Sequence, residues 1–384
     1  MKTTRKFAMA AAIAALALTV SACSTGDNGG GTPTTAPTET SALSAEAQAA
    51  LDVAYEGIGS TLDDLEPAEP EAGLTFYVMS CGEVAATCAA PAAAMVEAAE
   101  AAGWDGNLVD GKLSPEGFAT AIRQAVAGGA DVLVPVGISC SAAAAAFAEA
   151  KAAGVTIVGG GGVDDCDPKG WDAERLWLEN PPVPTAFQAI GKLQADYTFG
   201  KNDGDVKAVV VNMTSNSWGG LVTSAYEAEL EALGGGEILE VVDVSDPETA
   251  DGSFIQKVTS ALLANPEVNS LVMPTDAFLV NGLATAIAQA GLAEQIVSVG
   301  GFGSAAAIDM IREGQPGITA TVGQAMIWES WGSIDTAIRV LNGQDPVYIG
   351  QSVQVVDKDH NMPDAGPYDG SIDWKSKFLA AWGK

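Results

Sequence analysis

Histidine occurs once in the 384 residues, as His360 in the run Asp357-Lys358-Asp359-His360-Asn361. No serine or cysteine has a recognisable base partner, so nucleophilic catalysis has no machinery to run on. The run around His360 alternates oxygen-bearing side chains as calcium loops do. Yet Met362 stands where such a turn needs glycine, and Tyr368 where it needs a bidentate glutamate. A solvated loop without metal is the expectation. The glycine runs Gly159 to Gly162 and Gly300 to Gly303 lack the spacing and the distal acid of a dinucleotide fingerprint. They read as turns at strand ends, and no cofactor is expected.

Other side chains offer hydrogen-bonding and stacking groups. Asp276 offers a carboxylate that accepts from hydroxyl or amino donors, and Gln324 a carboxamide that both donates and accepts. The two suit a neutral, hydroxyl-rich small molecule. Asp276 is equally placed to cap the helix that follows it. Trp218, backed by Gly219-Gly220, presents an indole that stacks on a sugar or a ligand ring, or else packs at the rim of a core. Trp328 and Trp331 stand at core spacing on one helix and read as packing. Beyond the first residues the arginines are Arg123, Arg175, Arg312 and Arg339, and none directly follows a strand. No bidentate clamp for a phosphate or carboxylate is therefore expected.

The frame for these residues is an alternation of short apolar strands and alanine-rich helices. Strands are expected at 74–79, 132–136 and 155–158, with helices at 90–102, 117–127 and 142–153. The order recurs with strands at 206–212, 238–242, 270–273 and 296–299 and helices at 220–232, 254–264 and 281–290. Such alternation implies βαβ crossovers and a parallel sheet covered on both faces, here twice: an α/β protein of two doubly wound lobes. Glu179-Asn180-Pro181-Pro182-Val183-Pro184 is too rich in proline for a helix or central strand and reads as a crossing between them.

Ligands of open parallel sheets sit beyond the carboxyl ends of the strands, where loops and helix N-termini offer free N–H groups. This singles out Ser80, Cys81, Gly82, Glu83, Ser139, Gly159 and Gly160 in the first lobe. In the second it singles out Thr214, Asn216, Trp218, Asp276 and Phe302, with Asn180 and Gln324 at crossings.

The amino terminus sets the compartment. Lys2, Arg5 and Lys6 precede an apolar run from Phe7 to Val20 that is too short to span a bilayer comfortably, the pattern of a signal peptide over residues 1–22. Val20-Ser21-Ala22-Cys23 resembles a bacterial lipobox, whose cysteine becomes the lipidated first residue. Residues 23–72 are then expected to tether a folded body to the outer face of the cell membrane. With 18 Lys plus Arg against 49 Asp plus Glu, and a net charge of −31, the chain repels nucleic acid and anionic lipid.

Cys23 aside, Cys81, Cys88, Cys140 and Cys166 form an even set in an exported chain, and disulfides are plausible partners for all of them. Three pairings exist. Loop position favours Cys81 with Cys88, just past the first strand and at the start of the next helix, and Cys140 with Cys166, after two strands expected to be neighbours. A zinc site would want closer Cys-x-x-Cys spacing.

In the order of its landmarks the body resembles the type I periplasmic solute-binding proteins of ABC importers, in the ribose and galactose branch. Met79-Ser80 closes the first strand. Pro274-Thr275-Asp276 is similar to that branch's strand-end Asn-Asp pair, Gly300-Gly301-Phe302-Gly303 to its Gly-Phe-Asp turn, and Ala320-Thr321-Val322-Gly323-Gln324 to its Ala-Thr-Ile-Ala-Gln crossover. The resemblance implies three crossings between an N-terminal lobe of 73–180 plus 325–345 and a C-terminal lobe of 183–323 plus 349–384. It implies a monomer whose lobes close on a small neutral, sugar-like ligand and deliver it to an ABC permease in the membrane.

Gly159 and Gly160 stand where the branch carries a sugar-gripping Asp-Arg pair, which leaves Asp164 or Asp165 to reach back in its place. Ala85-Ala86-Thr87 and Cys88 stand where the branch has two aromatics. Two other roles share the fold. One is a nucleoside-binding lipoprotein, marked by aromatics on both walls of the cleft; the other is a sensing subunit that presents its closed lobes to a signalling receptor.

Overall fold

Runs of valine, isoleucine and leucine bounded by polar turns make the strands, and helices of mostly small residues cover them. The computed structural model describes residues 43–214 and 217–384; Cys23, the signal run, the first part of the tether and Asn216 lie outside them. The first half of the chain forms α1 (Ala45–Glu56), β1 (Thr75–Ser80), α2 (Ala86–Ala102), β2 (Asp105–Asp110), α3 (Pro115–Ala127), β3 (Val132–Pro135), α4 (Ala144–Ala152) and β4 (Thr156–Ile157). There follow α5 (Ala186–Lys201), β5 (Lys207–Met213), α6 (Ser217–Leu233), β6 (Glu237–Val244), α7 (Asp246–Asp251), α8 (Ser253–Ala264) and β7 (Ser270–Val272). The remainder is α9 (Ala284–Gln289), β8 (Val297–Phe302), α10 (Ala305–Glu313), β9 (Ala320–Gln324), α11 (Met326–Leu341), β10 (Val353–Val356) and α12 (Trp374–Ala381).

These strands make two sheets, one in the order β2-β1-β3-β4 and one in the order β10-β9-β8-β7-β5-β6. All neighbours run parallel except β10, which is antiparallel to β9. The central strands β3 and β7 are buried at every position, as strands covered on both faces must be, and their apolar runs are the plainest in the sequence. The strand β2 is not legible in that way, because Asp, Gly and Asn are poor strand formers; it survives as a half-exposed edge.

The helix α5 also escapes the sequence reading. Apart from Lys192, residues 189–200 are buried without a break, so no polar face alternates with an apolar one. Its two interior glycines each cost about 1 kcal/mol against alanine, and they permit close helix contact. A Cβ on Gly191 would stand 2.1 Å from the Val222 carbonyl oxygen of α6, and one on Gly200 would stand 2.4 Å from Leu51 Cγ of α1. Helix α5 is thus gripped from both sides at positions where only glycine fits.

The expected tether ends well before residue 72. The Ser44 side chain accepts the Ala47 N–H to cap α1, and Ala47, Ala50, Leu51 and Ala54 bury one helical face against the second lobe. Ile58 then bridges Val353, and the Ala68 N–H donates to the Ala381 carbonyl, so residues 57–74 carry the chain from the second lobe to the first. The spacing i, i+3, i+4, i+7 was present in the sequence, but alanines carry it weakly.

The tail departs from expectation too. Of residues 349–384, β10 and the loop after it stay on the second lobe, where Arg312 donates to the Pro363 carbonyl and the Tyr368 N–H to the Gly303 carbonyl, but Trp374 and Phe378 of α12, with Trp382 just beyond, join the first-lobe core around Trp328 and Trp331. The rings of Trp331 and Trp382 stack with centroids 5.4 Å apart and planes 2° apart. Two tryptophans and a phenylalanine find their apolar partners on α11, which is why the chain crosses back. To the three expected crossings the structure therefore adds 57–74 and the stretch between Pro363 and Trp374. Crossings also pair with one another, Leu176 bridging Tyr348 with the Ile349 N–H on the Leu176 carbonyl. Among the described residues no helix is long and apolar enough to cross a membrane.

Candidate functional site

The carboxyl ends of both sheets converge beside the crossings. Past β4, a Cβ on Gly161 would stand 3.6 Å from Glu329 Oε1, and the same carboxylate accepts Gln324 Nε2 from the end of β9 at 2.8 Å. Gly161 beyond a first-lobe strand and Gln324 at the end of a second-lobe strand thus meet at one carboxylate beside the crossings.

Two disulfides stiffen the first-lobe loops. Cys81 pairs with Cys88 and Cys140 with Cys166, the pairing favoured by loop position, and no thiolate is left among the four for a metal. The Gly111 N–H donates to the Ser80 carbonyl and the Leu113 N–H to the Cys81 carbonyl, which locks the loop after β2 onto the loop after β1. Ser80 is fully buried and its Oγ has no hydrogen-bond partner among the described residues. Glu83 is exposed at the rim, its N–H donating to Asp110 Oδ1, and Ser139 is half-buried before the turn that opens α4.

The second-lobe counterpart is aromatic. Trp218 begins α6, Phe302 ends β8 and Phe187 begins α5. Their centroids lie 5.2 Å apart for Trp218 and Phe302, 5.9 Å for Phe187 and Trp218, and 6.3 Å for Phe187 and Phe302. Two ring pairs are edge-on and one is stacked, the arrangements that aromatic quadrupoles favour. Phe302 sits at φ +82°, a left-handed conformation costly for a bulky residue, and strain of that kind is held where the surroundings demand it. Phe187 was missed because α5 was missed. Its signal was the Thr185 cap, whose side chain accepts the Gln188 N–H.

The crossings are polar. Arg175, from the first crossing after β4, pairs with Glu329 in the first turn of α11, and both side chains are 11% exposed. Burial presses the Arg175 pKa down to about 9, which still leaves it charged at neutral pH. Gln351 Nε2, from another crossing, also donates to Glu329. Gln324 is buried, and its Oε1 has no hydrogen-bond partner among the described residues. An arginine in a crossing rather than at a strand end is what the sequence reading did not weigh.

Other expected residues take different places. Asp276 is 1% exposed, and its carboxylate accepts the Ser304 N–H at 2.8 Å, the Ser304 Oγ at 2.9 Å and the Thr321 Oγ1 at 3.3 Å. It braces the loop after β7 against the start of α10 and has no exposed oxygen to offer a ligand. Burial pushes its pKa up to about 6 against the pull of those hydrogen bonds. Gly160 is buried in a bridge to Val136, where a Cβ would stand 2.6 Å from the Pro135 carbonyl oxygen. Asp164 accepts from the backbone N–H groups of Gly170 and Trp171, and Asp165 from Ser141, so neither reaches back into the cleft.

Cys81 is spent in its disulfide, Thr214 is exposed beside the Val244 carbonyl, and Asn180 is exposed at φ +53°. The loop at His360 is more than a solvated turn. Asp357 is buried and accepts from the Tyr55 and Tyr197 hydroxyls and from His360, so its carboxylate fastens α1 to the second lobe.

A family model described as periplasmic binding protein domain matches residues 86–345. No curated protein sequence matches the chain. Among solved structures, a periplasmic ribose ABC transporter protein from Conexibacter woesei DSM 14684 is 21% identical, with a TM-score of 0.62, over 77% of this chain and 94% of that one. A solute-binding protein from Actinobacillus succinogenes 130z with bound D-allose is 17% identical, with a TM-score of 0.61, over 75% of this chain and 98% of that one. A third, from Bacillus halodurans C-125 with bound myo-inositol, is 15% identical, with a TM-score of 0.59, over 75% and 96%. At these identities the likeness is one of fold.

Proposed function

The chain belongs to the family of periplasmic binding protein domains, and from that membership we propose that it captures a small, neutral, sugar-like ligand between its lobes and delivers it to an ABC permease. The observation that supports the ligand class is the aromatic trio of Phe187, Trp218 and Phe302 at the strand and helix ends of the second lobe, together with the carboxamide, carboxylate and guanidinium groups gathered at the crossings. A sugar or cyclic polyol has an apolar C–H face for the rings and hydroxyls for the polar groups. The ribose, allose and inositol named for the structural neighbours fit that description. The role is binding rather than catalysis.

The nucleoside alternative asks for aromatics on both walls. Among the described residues the first-lobe candidates are the exposed Glu83, the half-buried Ser139 and glycines, with Ser80 fully buried, while Trp171 packs behind Gly159. That favours the sugar-like ligand. Export, lipidation at Cys23, action as a monomer and transport rather than sensing complete the proposal.

A thermal-shift screen of the chain without its signal, against sugars, polyols and nucleosides, tests it. A ligand that binds only the folded state raises the melting temperature, by an amount set by its concentration over Kd. Stabilisation by a nucleoside and by no sugar or polyol would reverse the assignment.

A further inference from the structure

The two disulfides sit in opposite electrostatic settings. Cys88 lies in the first turn of α2, whose N-cap Ala85 makes no side-chain hydrogen bond and whose first turn holds no acidic residue. A helix of 17 residues presents partial positive charge at that end, and no carboxylate of its own cancels it. A cysteine sulfur so placed is stabilised as thiolate. The loop between the paired cysteines reaches into water, with Glu83 exposed and Val84 88% exposed.

Cys140 and Cys166 have the reverse arrangement. Their sulfurs and an oxygen of the Asp164 carboxylate all lie within 4.8 Å of one another. Cys140 is fully buried, and Gly170 lies over it, since a Cβ there would stand 2.4 Å from Cys140 Sγ. In the single turn that Cys140 opens, the N–H and hydroxyl of Ser141 are both taken by Asp165. A thiolate released at Cys140 is therefore desolvated and faces a carboxylate. Cys166 is the most exposed of these four cysteines, so access alone favours attack on this bond and charge opposes it.

We propose that Cys81–Cys88 is a thiol-exchange site, opened by a dithiol while Cys140–Cys166 stays closed, and that its opening unclamps the loop between β1 and α2. A thiolate of the dithiol attacks Cys81 Sγ, the Sγ–Sγ bond breaks, and Cys88 leaves as the thiolate that the start of α2 stabilises. The second sulfur of the reductant then attacks the mixed disulfide and releases Cys81. Two electrons pass to the protein and the reductant ends as its own disulfide; of its two protons one goes to Cys81 and one to solvent. The loop keeps the Glu83 N–H on Asp110 and the Ala85 N–H on the Gly82 carbonyl but loses its covalent tie.

Graded dithiothreitol, followed by alkylation with N-ethylmaleimide and peptide mapping, reads which bond opens in the folded chain without its signal. Cys81 and Cys88 should be labelled faster than Cys140 and Cys166 by about ten-fold or more, the effect of a better leaving thiolate, while near-ultraviolet circular dichroism stays native. Thr87→Asp sets a carboxylate beside Cys88 and should slow the exchange by about two- to five-fold, the worth of a charge at a helix end. Thr87→Asn, of the same shape, should not. Amide exchange over residues 82–88 should rise in the partly reduced protein, and equally in the Cys81→Ser, Cys88→Ser double variant with no dithiol present. Labelling of Cys140 and Cys166 first, or of all four with loss of the native spectrum, overturns the proposal. Equal rates for Thr87→Asp and Thr87→Asn overturn the role of the helix end, and a double variant with unchanged amide exchange overturns the clamp.

Discussion

Phe302 holds its ring 5.2 Å from that of Trp218, at 70° between planes, from a backbone φ of +82°. The ring contact and the strained backbone are one feature, since the left-handed conformation aims the side chain at Trp218 rather than along the strand. Removing the ring as Phe302→Gly should therefore cost less stability than Phe302→Ala, by about 1 kcal/mol, because glycine relieves the left-handed penalty that alanine keeps. Both should weaken ligand binding alike. Chemical denaturation of the two variants decides the point, and an alanine variant as stable as the glycine one would show that the conformation carries no strain.

Asp276 accepts three hydrogen bonds from Ser304 and Thr321, so its loss should be felt in folding and not at the ligand. Asp276→Ala leaves buried donors without an acceptor, at roughly 1–3 kcal/mol for the group left unmade. Affinity for the ligand found by screening should stay within about two-fold of wild type by calorimetry, since no ligand contact is removed. A selective loss of affinity at unchanged stability would return Asp276 to the cleft.

Two buried carboxylates, Asp196 and Asp276, and the half-buried Asp369 set the pH dependence of stability. Burial is the largest cause for each, raising Asp196 and Asp276 to about 6 and Asp369 to about 7. A carboxyl whose pKa is higher folded than unfolded binds protons preferentially in the folded state, so its contribution is full at low pH and is lost as pH rises through 6 to 7. Stability should accordingly increase from pH 8 to pH 5, by roughly 3 kcal/mol or more in all. Carboxylates held low, such as Asp357, withdraw their contribution only below the unfolded carboxylate range and do not oppose the trend in this window. Melting temperature measured across pH 8 to 5 checks the sign, and Asp369→Asn should flatten the upper part of the curve.

Two lobes of parallel sheet were legible because β3, β5 and β7 carry short apolar runs, and the disulfide pairing was legible because strand neighbours place the loops. What escaped did so for definite reasons. Helix α5 is buried nearly all round and so has no period, and α1 writes its apolar face in alanine. The site divided along the same line. Trp218, Phe302 and Gln324 stand at strand or helix ends, where a sequence reading looks for candidates, whereas Phe187, Arg175 and Glu329 depend on crossings and on a helix that sequence periodicity cannot see. Asp276 stands at the right strand end, but a hydroxyl and an amide from the next loop claim its carboxylate, which is a matter of tertiary contact alone.

Lipidation at Cys23 rests on the small residues before it and the polar stretch behind it. The Ser44 N–H donates to Asp203 Oδ1 at 2.7 Å, so the folded body begins on the second lobe. Cys23→Ser should move the protein from the membrane to the soluble fraction without altering ligand affinity or melting temperature. Fractionation that leaves the variant on membranes would count against the anchor.

The docking of α1 is the most direct test of the fold beyond its sheets. Gly200 of α5 lies under Leu51, with the Ala47 carbonyl oxygen 2.8 Å from where its Cβ would be, so Gly200→Leu places a side chain in space already filled by α1. The rigid backbone contact leaves α1 no means of yielding except to lift away, and lifting it uncovers Ala50, Leu51 and Ala54 and removes Tyr55 from Asp357. Exposing that apolar face, or forcing the fit, should cost roughly 2–4 kcal/mol. It should also open residues 45–60 to limited proteolysis while the sheets, whose contacts are elsewhere, keep their protection. Tyr55→Phe, which keeps the ring and removes only the hydroxyl, should cost less and leave α1 protected. A Gly200→Leu protein in which α1 resists protease as wild type does would mean that α5 and α1 are not packed as closely as these distances require.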